Sequence, residues 1–183
     1  LNNFKKIFSL QGDYVAAIGH TLLFGVCTTL MKSLFGLILA LLLDNNFRSR
    51  ELLRGIYFLP FAISPLIIGI IFTSVLHPQW GVLNEILRAV GLDFLAKNWL
   101  VDKSIAMFSV IGVETWREVG LNMVIFLAGL QMIDRTYYEA AEIDGAGFIS
   151  KLRYVILQLL SSSIVVNTIL NLIHGLRAFD IIF

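Results

Sequence analysis

The sequence predicts an all-α polytopic membrane protein, and two observations carry that prediction. Apolar residues make up 57% of the 183-residue chain and charged residues only 15%, with a mean hydropathy of +0.81. An ordinary soluble domain is about half apolar and about one quarter charged. The apolar excess is gathered into four runs of about 20 residues or more, each long enough at ~1.5 Å per residue to cross a ~30 Å hydrocarbon core. The runs are continuous and do not alternate every second residue, which excludes a membrane β-barrel.

Residues 1–19 read as a weakly amphipathic leading segment with Lys5 and Lys6 on its polar side. The first span is expected over about 21–43 and carries one charge, Lys32. At the bilayer centre that charge costs roughly 2.5–3.5 kcal/mol, and a dozen or so Leu, Ile, Phe and Val residues at about 0.3–0.6 kcal/mol each outweigh it. Thr21, Gly25, Thr28, Thr29, Lys32 and Gly36 fall on one face at helical spacing. Small and hydroxylated residues on one face form a helix-packing surface; a water-filled path beside Lys32 is the alternative.

The segment from Asp44 to Arg54 reads as a short loop, and Arg48, Arg50 and Arg54 place it in the cytoplasm by the positive-inside rule. The second span, about 55–76, has no charge but contains Pro60, Pro65 and Gly69, so a kinked helix is expected. An external loop follows over residues 77–103. Within it Val82 to Val90 has helical apolar spacing ended by Gly91, and Trp80 and Trp99 suit an interfacial position.

The third span, about 104–133, is longer than one straight crossing needs and contains Glu114, Arg117 and Glu118. Glu114 and Arg117, three apart, can pair on one face and lower their burial cost. Gly120 follows, and a local break, an interfacial section or a tilted helix each fits. Between this span and the next lies a polar segment, about 134–153, with Asp134, Glu139, Glu142 and Asp144 flanked by Arg135, Lys151 and Arg153.

The fourth span is expected over about 155–183. Relative to Ser163, helical geometry puts Asn167 at about 40°, Asn171 at about 80°, His174 at about 20° and Arg177 at about −40°. These five polar side chains share one arc, interrupted only by Leu170. Lipid penalises such a stripe, so it faces protein or water. Interhelical hydrogen bonding accounts for two or three such residues; five in a row favour a hydrophilic transport path, with Lys32 as a further candidate lining residue.

Enzymatic chemistry has no visible carrier. His20, His77 and His174 are isolated, Cys27 has no second cysteine, and no metal-ligand spacing occurs. No glycine-rich phosphate loop is present, so no cofactor or nucleotide is expected on this chain itself. The net charge of +1 gives no reason to invoke nucleic acid. No signal peptide is legible: the first apolar run begins only near His20. A start at Leu1 and an end at Phe183 within apolar sequence lead us to expect a fragment, with helices missing at both ends.

Glu139-Ala140-Ala141, followed after three residues by Gly145, resembles the cytoplasmic signature loop of permease subunits of binding-protein-dependent ABC importers. Phe126-Leu127-Ala128-Gly129-Leu130-Gln131 and Glu139 to Ala146 are similar to the carbohydrate-uptake branch, which includes maltose and glycerol-phosphate permeases. Phe58-Leu59-Pro60, the Pro78, Gly81 and Asn84 spacing, Trp116 and Phe179-Asp180 extend the match along nearly the whole chain. Two positions depart from the pattern. Gln158 stands where a proline usually shapes the turn into the next span, and Asp134 stands where a proline usually precedes the loop.

The resemblance implies a type I ABC importer transmembrane-domain fold, with residues 1–183 forming a single transmembrane domain. Its four spans would be the second through fifth of a six-span core. It also implies that Glu139, Ala140, Ala141, Asp144 and Gly145 form a helix–turn–helix that docks on an ATP-binding subunit. Two small alanines permit close approach, Gly145 permits the turn, and Glu139 offers a charged anchor. The implied partners are a second homologous permease subunit, two ATP-binding subunits that use the ATP, and an extracytoplasmic solute-binding protein docking near residues 77–103. The implied solute is a sugar or related polyol, and the implied location is a bacterial or archaeal inner or plasma membrane. An ion-coupled secondary transporter using Lys32, Glu114 and Arg117 as a charge relay, or a structural membrane subunit, are the alternatives.

Overall fold

The computed structural model describes residues 12–45 and 48–177. Lys5, Lys6, Phe179, Asp180 and the part of the fourth span beyond Arg177 lie outside the described residues. The described residues are helical with connecting turns. The helices are α1 (Gly12–Leu43), α2 (Arg50–Ala62), α3 (Pro65–Val75), α4 (Val82–Ala89), α5 (Ala106–Gln131), α6 (Arg135–Ile143), α7 (Phe148–Leu159, with a π turn over Leu152–Ile156) and α8 (Ser161–Arg177).

α1 is the centre of the bundle, packing along α5 on one side and α8 on another, while α2 packs on α5. The face of small residues expected on the first span is the one that meets these neighbours: Gly25 and Gly36 are buried, Thr28 and Lys32 are 0% exposed, and Thr29 is 5% exposed. Below it Ala40, Leu43, Met123, Phe126, Leu127, Leu130, Ile156 and Leu160 form the apolar core where α1, α5 and the α7–α8 corner converge. Phe24 and Ile111 form a second, smaller cluster flanked by Cys27.

Two expectations about the second span need correction. The helix begins at Arg50, so Arg50 and Arg54 belong to α2 and not to a loop. Arg54 donates from Nη2 to the Leu43 carbonyl at 2.9 Å and from Nη1 to Glu51 at 2.9 Å, which satisfies a free carbonyl at the end of α1. The expected kink is also a full break. α2 and α3 meet at 96°, because Ser64, forced out of the helical region by the following proline, sits at φ −55°, ψ 134°, and Pro65 starts the next helix. Pro60 stays inside α2 and is buried.

In the loop between α3 and α5, α4 ends at the expected glycine, with Gly91 at φ 76°. The side chain of Asn84, 1% exposed, organises this loop. Its Nδ2 donates to the carbonyls of Pro78 (3.1 Å) and Lys97 (3.0 Å), and its Oδ1 accepts from Trp99 Nε1 at 2.7 Å. Trp99 is thereby turned inward, whereas Trp80 is exposed and stacks on His77 at 4.1 Å.

α5 is one continuous 26-residue helix, so Gly120 is not a break. It is a point of close approach to α2, where any side chain would strike the backbone of Tyr57. Among the described residues α1 alone is long and apolar enough to be a complete span, over Ala17–Leu43. The pairs α2–α3 and α7–α8 qualify only as bent spans, the second bent by 69°. The chain thus turns sharply into α8 without the proline absent at Gln158. The π turn and the interruption at Leu160 make the bend instead.

Candidate functional site

α5 departs from an ordinary span through its charges. Glu114, Arg117 and Glu118 lie near its middle, and three ionised residues cost about 7–11 kcal/mol on the insertion scale. Its eleven Leu, Ile, Phe and Val residues return only about 3–7 kcal/mol. The structure resolves this deficit with partners. Lys32 of α1 donates from Nζ to Glu118 Oε2 at 2.6 Å and to Glu114 Oε1 at 3.1 Å. Arg117 grips Glu114 through Nε (3.0 Å) and Nη2 (2.9 Å) and also donates to Glu118. Two cations and two carboxylates form a closed, neutral quartet. Lys32 is 0% exposed and Glu118 3%, so each charge depends on the others.

A polar ladder continues from the quartet toward the other end of the bundle. Asn122 donates to the Glu118 carbonyl at 2.9 Å, and Asn171 of α8 donates to Asn122 Oδ1, with longer contacts to Asn167 Oδ1 (3.4 Å) and Ser33 Oγ (3.5 Å). The residues predicted to line a path therefore occupy two environments. Lys32, Asn167 and Asn171 are buried among helices, whereas His174 and Arg177 are exposed. His174 Nδ1 lies 3.7 Å from Glu118 Oε1, joining α8 to the edge of the quartet. On its other side the quartet borders a cavity of about 230 Å³ under α3, walled by Phe24, Ile68, Phe72 and Leu76 with Glu114 and Arg117 at its floor.

The segment after α5 is a helix–turn–helix. Asp134, the departure from the usual proline, is the N-cap of α6, accepting from the Thr136 amide at 2.9 Å and its hydroxyl at 3.0 Å. Those two hydrogen bonds, the amide's first, hold its carboxyl below the usual range. α6 closes with paired bonds: Ala146 N–H donates to the Ala141 carbonyl at 2.9 Å and Gly145 N–H to the Glu142 carbonyl at 3.0 Å. Gly145 between them has φ 72°, the left-handed conformation this closure requires.

Ala141 is buried against the bundle, while Glu139, Ala140, Asp144 and Gly145 are exposed. Large apolar side chains stand out beside them, Ile143 at 87% exposure and Ile149 at 75%, with Phe148 between. Lys151 pairs with Glu142 at 2.7 Å and ties the two helices together. Under α6, Tyr138 faces the end of α1, where burial first and the Asp44 carboxylate second raise its phenol. Sequence reasoning noted Glu118 without a partner and passed over Asn122. The available signal was Lys32, a lone cation in a span that required an anion on another helix.

An all-helical bundle with charges paired inside it and a structured polar turn between two long helical segments defines a multi-pass membrane subunit. Residues 32–182 match the family of binding-protein-dependent transport system inner membrane components, and the chain belongs to that family, whose place is the cell membrane. A probable ABC transporter permease protein of Pyrococcus horikoshii is 37% identical over 150 residues, 82% of this chain and 51% of its own length. The trehalose/maltose transport system permease protein MalF of Thermococcus litoralis is 30% identical over 183 residues, 100% of this chain and 61% of its own length. A chain in the crystal structure of a bacterial alginate ABC transporter, in complex with an alginate pentasaccharide-bound periplasmic protein, superposes with a TM-score of 0.88 at 26% identity. That superposition covers 100% of this chain and 63% of that one. The chain thus spans less than two thirds of the length of these relatives.

Proposed function

We propose that the chain is part of a permease subunit of an ATP-driven importer, with a type I transmembrane fold, and forms part of the route for a sugar or related solute. Membership of the family, together with relatives named for trehalose/maltose and alginate transport, supports the importer and carbohydrate readings. Four spans would correspond to the second through fifth of six. The partners would be a second permease subunit, two ATP-binding subunits and an extracytoplasmic solute-binding protein.

The observation that carries the coupling reading is the exposed turn between α6 and α7. It presents Glu139 and Asp144 beside uncovered Ile143, Phe148 and Ile149, a mixture of charge and apolar area suited to a protein groove. Closure of the ATP-binding dimer would move this turn as a lever and tilt the helices rigidly joined to it. Along α8, His174 and Arg177 would meet the solute, since imidazole and guanidinium offer the donors that hydroxyls accept from. Asn167, Asn171 and Lys32 would set the position of that surface from behind.

In the complete transporter, Glu139→Lys is expected to abolish ATPase-coupled uptake while the subunit remains in the membrane. Normal uptake by that variant overturns docking through this turn. The buried quartet of Lys32, Glu114, Arg117 and Glu118 is the one feature favouring an ion-coupled carrier instead. Uptake that survives loss of the ATP-binding subunits and collapses with the ion gradient would establish that reading.

A further inference from the structure

We infer that the Lys32–Glu118 pair is an insertion clasp: α5 remains across the membrane only because α1 supplies the cation that neutralises it. The inference rests on membrane residence and stands apart from what the transporter carries. Every stretch of 18 residues within α5 contains Glu114, Arg117 and Glu118, so the helix cannot cross without carrying all three. Arg117, the one cation of α5, is shared between Glu114 and Glu118, so the helix by itself keeps one net negative charge. Lys32 is the mirror case, the one Lys, Arg, Asp or Glu within the span Ala17–Leu43.

The two meet at 2.6 Å with 3% exposure or less on either side. Their helices are separated in sequence by the bent α2–α3 pair and the α4 loop. The clasp therefore joins segments far apart in the chain, and α5 has no second cation to take the place of Lys32. Other neighbours do not replace it: Arg117 also contacts Glu118 but is shared with Glu114. Asn122 donates to the Glu118 backbone and not to its carboxylate. His174, at 3.7 Å, comes from α8, which lies after α5 in the chain.

The test reads topology and not transport. In the full-length protein with native cysteines replaced, single thiol reporters are introduced by Asn98→Cys, in the loop before α5, and by Gly147→Cys, in the turn after it. Both positions are exposed, and a side chain at Gly147 meets nothing within 4 Å. Labelling by a membrane-impermeant maleimide is measured per mole of membrane-bound protein. In the parent the two reporters are expected to label from opposite sides. Lys32→Glu and Glu118→Lys are each expected to raise labelling of the second reporter, from the side that labels the first, by at least about tenfold. The charge-exchanged double variant, Lys32→Glu with Glu118→Lys, is expected to return to within about twofold of the parent.

The neutral double variant, Lys32→Met with Glu118→Gln, removes both charges while leaving the Glu114–Arg117 pair. It too should keep the reporters on opposite sides. Parental labelling in either single charge variant, or same-side labelling in the neutral double variant, overturns the inference. Same-side labelling in the charge-exchanged variant alone would likewise show that side-chain shape, and not neutrality, holds α5 in place.

Discussion

Gly120 of α5 lies directly against the backbone of Tyr57 of α2: a Cβ placed on it would stand 2.0 Å from the Tyr57 carbonyl oxygen and 2.7 Å from the Phe58 Cα. Backbone cannot rotate aside as a side chain can, so relief requires the two helices to separate. Gly120→Ala is expected to destabilise the protein by about 1–3 kcal/mol, the usual cost of overpacking. Gly112→Ala on the same helix meets nothing within 4 Å, and its better helix propensity should leave stability unchanged or raised. Thermal unfolding of both variants in the same detergent checks the contrast. Equal midpoints would show that α2 and α5 are farther apart than described.

The loop between α3 and α5 hangs on one side chain. Asn84 makes three hydrogen bonds, to Pro78, Lys97 and Trp99, while 1% exposed. Asn84→Leu would leave two carbonyls and an indole N–H without that partner, each buried polar group losing about 1–3 kcal/mol when unmade. We expect proteolysis within residues 92–103 to accelerate by at least about tenfold, with the helices of the bundle uncut. Asn84→Asp, which retains the acceptor for Trp99 but loses the donor, should fall between the two. Trp99 fluorescence shifted to longer wavelength in Asn84→Leu would report the same release.

What was legible in the sequence and what was not divide along a physical line. Spacing within one helix is a local property. α4 and its end at Gly91 could therefore be read directly from residue order, whereas the helix–turn–helix around Gly145 was implied by the resemblance that Glu139-Ala140-Ala141 carries. The burial cost of Lys32 was equally legible, but its partner stands 86 residues away on a helix whose packing face depends on tertiary contacts. The break at Ser64 was underestimated because a single proline only kinks a membrane helix when its predecessor stays helical. Here Ser64 is extended, and the chain turns by 96°. Charge alone makes Arg50 to Arg54 read as a loop, whereas Glu51 and Arg54 sit three apart on α2 and pair at 2.9 Å.

Acid should loosen the start of α6. The Asp134 carboxyl is held below its ordinary value of 3.8 by the Thr136 amide and hydroxyl, so the folded state favours the ionised form. A depressed value of this kind contributes stability that is complete above the ordinary value and is lost as pH falls through the lowered one. As pH falls from about 4 through that lowered value, the amides of Thr136 and Tyr137 should lose hydrogen-exchange protection faster than those at the centre of α6, after correction for intrinsic exchange. Asp134→Asn retains an acceptor but no charge and should remove this pH response. A response unchanged in that variant would assign it to another carboxylate in the segment.

Asn171 and His174 occupy one face of α8 but should respond differently to substitution. Asn171 is 3% exposed and bonded to Asn122, so Asn171→Leu leaves the Asn122 acceptor without its donor inside the bundle. Polar bonds between membrane helices contribute about 0.6–1.7 kcal/mol, and a loss of that size should appear in unfolding. His174 is exposed and only approaches Glu118, at 3.7 Å, so His174→Leu should leave unfolding nearly unchanged. If the exposed end of the stripe meets the solute, His174→Leu raises the KM for uptake in the complete transporter. Asn171→Leu would then act mainly through the amount of assembled protein. Uptake by both variants, normalised to assembled transporter, separates the two roles. An unaltered KM for His174→Leu would remove that residue from the route, and a raised KM for Asn171→Leu at normal stability would place the buried asparagines on it.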